Sequence, residues 1–306
     1  MRKEFVTKVL ELMQQDENII FLTGDLGFGS FEIIEEQYKN RFYNVGIAEQ
    51  NMIGLACGLG LAGKKIIIYS IANFTTLRVL EQIRNYLIYH DTKALIVNGG
   101  GGFCYGQLGY THHAVEDVSI MKSLPYIEIY APYNCDGISN AMDKWAKEGK
   151  VSYLRLEKSI VQNLDTSVNV QKLSTFTEII GNLNSSNFII TYGTILNEAI
   201  KVKSILSNIG IDIGIIVLTS IKHIDDVVLK KLNNKNIVAF LEENTISGGL
   251  GEQFFAKCML NNIKFKQSKI FAVNDFISKV IGDQDYMRDL HGLSAKYLVE
   301  YFKTKI

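Results

Sequence analysis

Short apolar runs rich in β-branched residues recur along the chain, separated by longer stretches with apolar positions three and four residues apart. The first such runs are "NIIFLT" (18–23), "KIIIYS" (65–70), "ALIVNG" (94–99) and "YIEIYA" (126–131). Each predicts a strand, and the spacing between them predicts helices. This alternation implies an α/β fold, a mainly parallel sheet with helices on both faces. Near residue 160 the pattern lapses into the polar "VQNLDTSVNVQKLST" (161–175), then resumes with "NFIITYG", "IGIIVLTS" and "NIVAFLEE". The reading is two doubly wound domains, 1–160 and 179–306, joined by a linker over 161–178.

The opening "MRKEFVTKVLELMQQDENII" reads as an amphipathic helix with acidic residues throughout, and it lacks the unbroken apolar core of a signal peptide. A second stretch, "YNVGIAEQNMIGLACGLGLAG" (43–63), is apolar enough to invite comparison with a membrane span. Its glycines and the polar Asn44, Gln50 and Asn51 argue against one. Across 306 residues, 32 Lys and Arg balance 32 Asp and Glu, and no basic block marks a nucleic-acid partner. Cys57, Cys104, Cys135 and Cys258 are far apart, which signals neither a zinc site nor a disulfide framework and fits a reducing cytoplasm. The expectation is a cytoplasmic protein with no membrane or nucleic-acid partner and no metal site of its own.

Within the 43–63 stretch only Glu49 is charged. A carboxylate among small and apolar residues loses water and needs a partner or a chemical role. Two glycine clusters also stand out. "GDLGFG" (Gly24 to Gly29) follows a predicted strand and reads as a tight βα turn. "GGGGF" (Gly99 to Phe103) gives up backbone entropy after a buried strand, which implies close approach of a ligand or a neighbouring subunit to the main chain.

Four motifs, "NVGIAEQNMIG", "YSIANFTTLRVLEQIRN", "GYTHHAVEDVSIM" and "EENTISGGLGE", occur in the order and at about the spacing seen in the second half of transketolases and deoxyxylulose-phosphate synthases. The chain thus resembles the transketolase-like, thiamine-diphosphate-dependent enzymes, in the form of a separate C-terminal-half subunit. The resemblance implies a thiamine-diphosphate-binding fold, the pyrimidine domain, followed by a transketolase C-terminal-like domain. It also implies a role for Glu49, because the family's glutamate here hydrogen-bonds N1′ of the aminopyrimidine and favours the imino form that removes the thiazolium C2 proton. By the same resemblance Phe74 stacks on the aminopyrimidine with Arg78 beside it. His112 faces the reacting carbon, His113 is a second substrate-binding candidate, and Lys158 stands where the family has a phosphate-binding arginine. Phe74 lies one position further from Arg78 than in the family motif. Glu81 and Arg84 suit an ion pair or a subunit contact, and Glu242, Glu243 and Glu252 suit structural roles.

The chain also departs from the family. Leu108 replaces the aspartate that contacts a sugar hydroxyl, and it cannot accept a hydrogen bond. Glycines around Gly100 replace a phosphate-facing histidine. An incomplete phosphate site predicts a two-carbon transfer to an unusual aldehyde or keto sugar, such as a nucleotide-linked sugar in polysaccharide synthesis. "GDL" at Gly24 lacks the metal-binding Gly-Asp-Gly. The implied partner is an N-terminal-half subunit that holds the diphosphate and magnesium or another divalent metal, in a heterotetramer. Three alternatives stay open: a deoxyxylulose-phosphate-synthase-like decarboxylating acyl transfer, the β subunit of a 2-oxo acid dehydrogenase, and a non-catalytic regulatory subunit that kept the fold.

Overall fold

The computed structural model describes residues 1–161, 170–274 and 277–306. The first sheet comprises β1 (Ile19–Thr23), β2 (Phe42–Asn44), β3 (Lys65–Ile71), β4 (Ala94–Gly99), β5 (Glu128–Tyr130) and β6 (Ser152–Leu156). Its order is β2-β1-β3-β4-β6-β5, and every pairing is parallel. Successive side chains of a strand point to opposite faces, so a strand covered on both sides is apolar throughout. Ile66 and Ile68 of β3 pack under α3 (Glu49–Leu61), while Ile67 and Tyr69 pack under α1 (Arg2–Gln15), with α2 (Glu32–Gln37) between them in sequence. The short α4 (Leu80–Gln82) runs into a π-helical turn over Ile83–Ile88. Next, α5 (Asp117–Ser123) joins the α3 face, and α6 (Cys135–Glu148) joins α1 through Met142 and Trp145.

The second sheet contains β7 (Val170–Ser174), β8 (Thr177–Ile180), β9 (Asn187–Tyr192), β10 (Gly214–Leu218), β11 (Lys235–Thr245) and β12 (Phe265–Val273), in the order β12-β11-β9-β10-β8-β7. β8 pairs antiparallel with β10 and with β7; the remaining pairings are parallel. Helices α7 (Leu196–Ser207), α8 (Asp226–Leu232), α9 (Leu250–Leu260), α10 (Gln284–Leu290) and α11 (Ala295–Lys305) complete the domain. Of the segment expected to link the domains, residues 170–174 and 177–178 are therefore strand, while 162–169 lie outside the described residues. The sequence hid β7 because it is a partly exposed edge strand whose polar side chains read as linker. Among the described residues no helix is long and apolar enough to cross a membrane.

The two sheets are joined through backbone and buried charge. β5 is the edge of the first sheet, and its neighbourhood is covered by the segment after β10: Ala131 N–H donates to Thr219 O (2.8 Å) and Ile221 N–H to Ile129 O (3.0 Å). Deeper in, Arg155 of β6 donates from Nε to Asp117 Oδ2 (2.9 Å), from Nη1 to Glu157 Oε1 (2.9 Å) and from Nη2 to the Glu243 carbonyl (3.1 Å). The Glu243 side chain accepts from Arg288 Nη2 (2.6 Å), Gln284 Nε2 (3.0 Å) and Phe103 N–H (2.6 Å). Burial opposes charge on Arg155, yet the Asp117 and Glu157 carboxylates outweigh it and hold the guanidinium protonated. Glu242 accepts from the N–H groups of Leu250 (2.7 Å) and Gly251 (3.0 Å) at the start of α9, and Glu252 accepts from Gly248 N–H (2.8 Å). All three glutamates of "EENTISGGLGE" serve the architecture.

Removing one partner of a buried ion pair leaves an uncompensated charge. Arg288→Ala is therefore expected to cost about 3–5 kcal/mol of stability, read as a lowered midpoint in urea unfolding of the purified chain.

Candidate active site

The predicted site residues gather at the carboxyl ends of the first sheet's parallel strands, where open α/β sheets bind ligands. β2 ends at Asn44, and the chain turns through Gly46 into α3, whose first residue is Glu49. Gly24, the first glycine of "GDLGFG", abuts this turn: a Cβ there would lie 3.1 Å from Gly46 O and 3.9 Å from Glu49 Oε1. Glu49 is 4% exposed, and its Oε2 is 2.8 Å from Arg78 Nη1. A carboxylate in the first turn is favoured by the helix dipole. Arg78 supplies its counter-charge.

Phe74 sits in the short turn Ala72–Thr75 that follows β3. The Arg78 guanidinium lies 3.9 Å from the centre of its ring, and the His112 ring is nearly perpendicular to it with the two ring centres 5.4 Å apart. Asn73 Nδ2 donates to His113 O (2.9 Å) and Gln50 Nε2 to Arg78 O (3.1 Å), so three segments are tied together around Phe74. Phe74, Arg78, Tyr110, Thr111 and Glu116 border a cavity of about 320 Å³. Arg84 donates to Asn85 Oδ1 (2.8 Å) and not to Glu81.

His112 is presented on a loop closed by paired backbone bonds between Gly102 and Ala114 (2.8 and 2.9 Å). It is half-buried, with Nδ1 3.0 Å from Thr111 Oγ1. His113 behaves differently. It is buried against Phe103, and its Nε2 lies 3.2 Å from Gly106 O, which can only accept, so the ring donates there. Burial pushes the His113 pKa down, as it does for nearby His291, whose ring stacks on Phe103. The structure thus places His112 beside Phe74, and His113 against Phe103 at the border of a separate cavity of about 260 Å³.

Lys158, just past β6, is exposed and borders a second cavity of about 270 Å³ with Gly99, Gly100, Tyr105 and Arg2. Sequence reasoning gives no signal for Arg2. It lies in the first turn of α1, where its amphipathic surroundings offer no hint of a site, and its Nη2 contacts the Tyr105 hydroxyl (3.4 Å). Two cations from opposite ends of the first domain therefore meet beside the glycine run. That run is also explained differently from the expectation. A Cβ at Gly99 would lie 2.1 Å from the Tyr69 hydroxyl, one at Gly100 (φ +114°) 2.1 Å from the Tyr105 ring, and one at Gly101 2.4 Å from Arg155 Nε. At Gly102 (φ +65°) it would lie 2.7 Å from the Glu243 carboxylate. The close approach is made by this chain's own side chains. Nor does the sequence single out Glu116. This partly buried acid borders the cavity beside Phe74 and a further one of about 260 Å³ lined by His113 and His291, and burial raises its pKa.

Fold and site together define a class of two-domain α/β chains with a buried carboxylate and an aromatic ring at the carboxyl ends of the first sheet's strands. Residues 1–163 match the family model of the transketolase pyrimidine-binding domain and residues 182–296 that of the transketolase C-terminal domain, so the chain belongs to the transketolase family. A Methanocaldococcus jannaschii protein named for a transketolase C-terminal section is 30% identical over all of this chain and 97% of its own length. A 6-deoxy-6-sulfo-D-fructose transketolase subunit from Clostridium sp. is 29% identical over 98% of this chain and 92% of its own. Among solved structures, a split-gene transketolase described as an inactive β4 tetramer superposes with a TM-score of 0.84 at 24% identity, covering 99% of this chain and 97% of that one. A transketolase mutant from Pichia stipitis gives 0.74 at 15% identity, and only 45% of it is covered.

His113 and His291 bind protons more weakly folded than unfolded, so they contribute stability that is full above the ordinary histidine value of about 6.5 and lost as pH falls below it. Equilibrium unfolding between pH 7.5 and 5 should show this loss, and His113→Gln should flatten the slope.

Proposed function

We propose that the chain is the C-terminal-half subunit of a split, thiamine-diphosphate-dependent transketolase that moves a two-carbon unit from a ketose carrying an anionic group to an aldehyde sugar. The observation that carries this reading is Glu49, a buried carboxylate at a helix N-terminus with Phe74 and His112 gathered nearby. A carboxyl for a ring nitrogen and an aromatic plane for stacking border one cavity and fit the pyrimidine end of the cofactor, provided that Arg78, which lies over Phe74 and pairs with Glu49, yields to the ring. When bound, thiamine diphosphate supplies the nucleophilic carbon for the ketose carbonyl and carries the two-carbon fragment.

In this reading the Glu49 carboxyl, now paired with Arg78 at 2.8 Å, hydrogen-bonds the ring nitrogen N1′. Phe74 fixes the ring plane, at a gain of about 1 kcal/mol. His112 stands where an imidazole can take or return a proton at a substrate oxygen near neutral pH. Arg2 and Lys158 hold the substrate's anionic end in the 270 Å³ cavity. Two curated relatives support a sugar with such a group, since they are named for 6-deoxy-6-sulfo-D-fructose and apulose 4-phosphate. The expectation of a nucleotide-linked sugar rests on an incomplete anion site, and Arg2 removes that ground. Deoxyxylulose-phosphate synthases match over less than half their length.

The diphosphate and its divalent metal would be held by an N-terminal-half partner subunit, in a heterotetramer. Relatives of this chain's own length that carry subunit or section names support that arrangement.

With the partner subunit reconstituted, Glu49→Gln is expected to lower kcat by about 10²–10⁴-fold; retention of most turnover would refute the role of Glu49. Arg2→Ala and Lys158→Ala should each raise KM for the anionic sugar by roughly 10-fold or more while kcat changes little. Unchanged KM in both would remove the anion from that cavity.

A further inference from the structure

The glycine run after β4 is not an anion cradle of the main-chain kind. Such loops aim free backbone N–H groups at an anion. Here the N–H groups of Gly100 and Gly101 both donate to Leu156 O (2.8 and 3.0 Å), and that of Gly102 donates to Ala114 O (2.8 Å). Donors for an anion in the 270 Å³ cavity must therefore be side chains, and Arg2 and Lys158 are two of them. The glycines point to the others. Gly99 leaves room for the Tyr69 hydroxyl and Gly100 for the Tyr105 ring, and both tyrosines line the cavity.

Arg2 is half-buried. Burial opposes its charge, and the Tyr69 and Tyr105 hydroxyls beside it outweigh that opposition. Arg2 Nη2 stands 3.4 Å from the Tyr105 hydroxyl oxygen, which accepts there. A guanidinium has no lone pair to offer, so the Tyr105 proton remains to be given elsewhere. Tyr69, 1% exposed, has the same cation beside its hydroxyl. Burial pushes both phenols up, so both keep their protons at neutral pH. Among the described residues Glu157 is the one carboxylate of the lining, and it is already engaged. Its Oε1 accepts from Arg155 Nη1 (2.9 Å) and Thr194 N–H (3.1 Å), and its Oε2 from the Thr194 hydroxyl. Burial likewise keeps the Cys104 thiol protonated.

We propose that the Tyr105 and Tyr69 hydroxyls determine specificity in this cavity. With Arg2 and Lys158 they form a lining of donors, which takes a tetrahedral oxyanion on the sugar and rejects a sugar that ends in an uncharged hydroxyl. The oxygens of such an anion accept from a guanidinium, an ammonium and a phenol together. An uncharged end brings a proton that finds no acceptor and leaves two cations without a counter-charge. The inference rests on the anionic ketose assigned to this cavity, and not on the chemistry at Glu49.

The test is calorimetric titration of the purified full chain, to which all four groups belong, with fructose 6-phosphate, fructose 6-sulfate and fructose. The two esters are expected to bind, and fructose to show no saturable binding up to about 10 mM. Tyr105→Phe removes one oxygen and keeps the ring beside Gly100. It should weaken both esters about tenfold, and Tyr69→Phe guards against a folding failure of the first variant. In the enzyme reconstituted with its partner and thiamine diphosphate, Tyr105→Phe should raise KM for the phosphorylated ketose by a similar factor while kcat stays within about twofold. A packing role would not give that split. If Arg2→Ala and Lys158→Ala weaken the esters while both tyrosine variants bind like the unaltered chain, the cations hold the anion unaided; the proposal then falls and the anionic substrate stands. If all four variants bind the esters unchanged, or no ester binds up to about 10 mM, the anion does not lie in this cavity, and its assignment falls with the proposal. Fructose binding as tightly as its esters would overturn the donor lining.

Discussion

Arg155 and Arg288 are buried cations, and the arrangement of loops at the active-site end depends on them. Arg155 spans from Asp117 at the start of α5 to Glu157 beyond β6, while Arg288 of α10 grips Glu243 at the end of β11. Each charge has lost its water and must be compensated by protein groups. The compensation fixes the places where the two domains meet. It also dictates local sequence: the Arg155 side chain occupies the space a Cβ at Gly101 would need, and the Glu243 carboxylate the space at Gly102. The glycine run is the imprint of that network on the main chain, and from it the loop bearing Tyr105 and His112 departs.

The active-site residues are held by different means. Glu49 is positioned by a helix start and one ion pair, Phe74 by a short turn, and His112 by a loop whose ends are bonded together. Glu49 thus stands on a helix, while Phe74 and His112 stand on short turns tied together by Asn73 Nδ2 donating to His113 O. The cations that would meet a substrate's anionic group are different. Lys158 is exposed and Arg2 is restrained chiefly by tyrosine hydroxyls.

Much of the architecture is legible in the sequence because alternation in a strand and three-to-four spacing in a helix are consequences of backbone geometry. The runs at 18–23, 65–70 and 94–99 form β1, β3 and β4, and those at 187–193 and 236–243 form β9 and part of β11. Where a strand is exposed the signal disappears. β7 reads as linker, and the exposed middle of β12, Lys266 to Lys269, is similarly polar. Glu49 stands out because a lone carboxylate in an apolar segment is costly. Arg2 does not, because a cation on an amphipathic helix is ordinary until the fold places it beside Lys158.

By itself, the sequence determined the α/β alternation, the two domains, the lone glutamate of an apolar segment and the family motifs around it. These are local properties: periodicity, composition and short-range spacing survive in a linear string. Only the tertiary structure decided that His112 and His113 have different surroundings, that the glycine run accommodates Tyr69, Tyr105, Arg155 and Glu243, and that Arg2 borders the same cavity as Lys158. Those outcomes depend on which distant side chains share a buried volume. Burial and charge compensation are set by the three-dimensional packing of all partners at once, and no spacing along the chain encodes them.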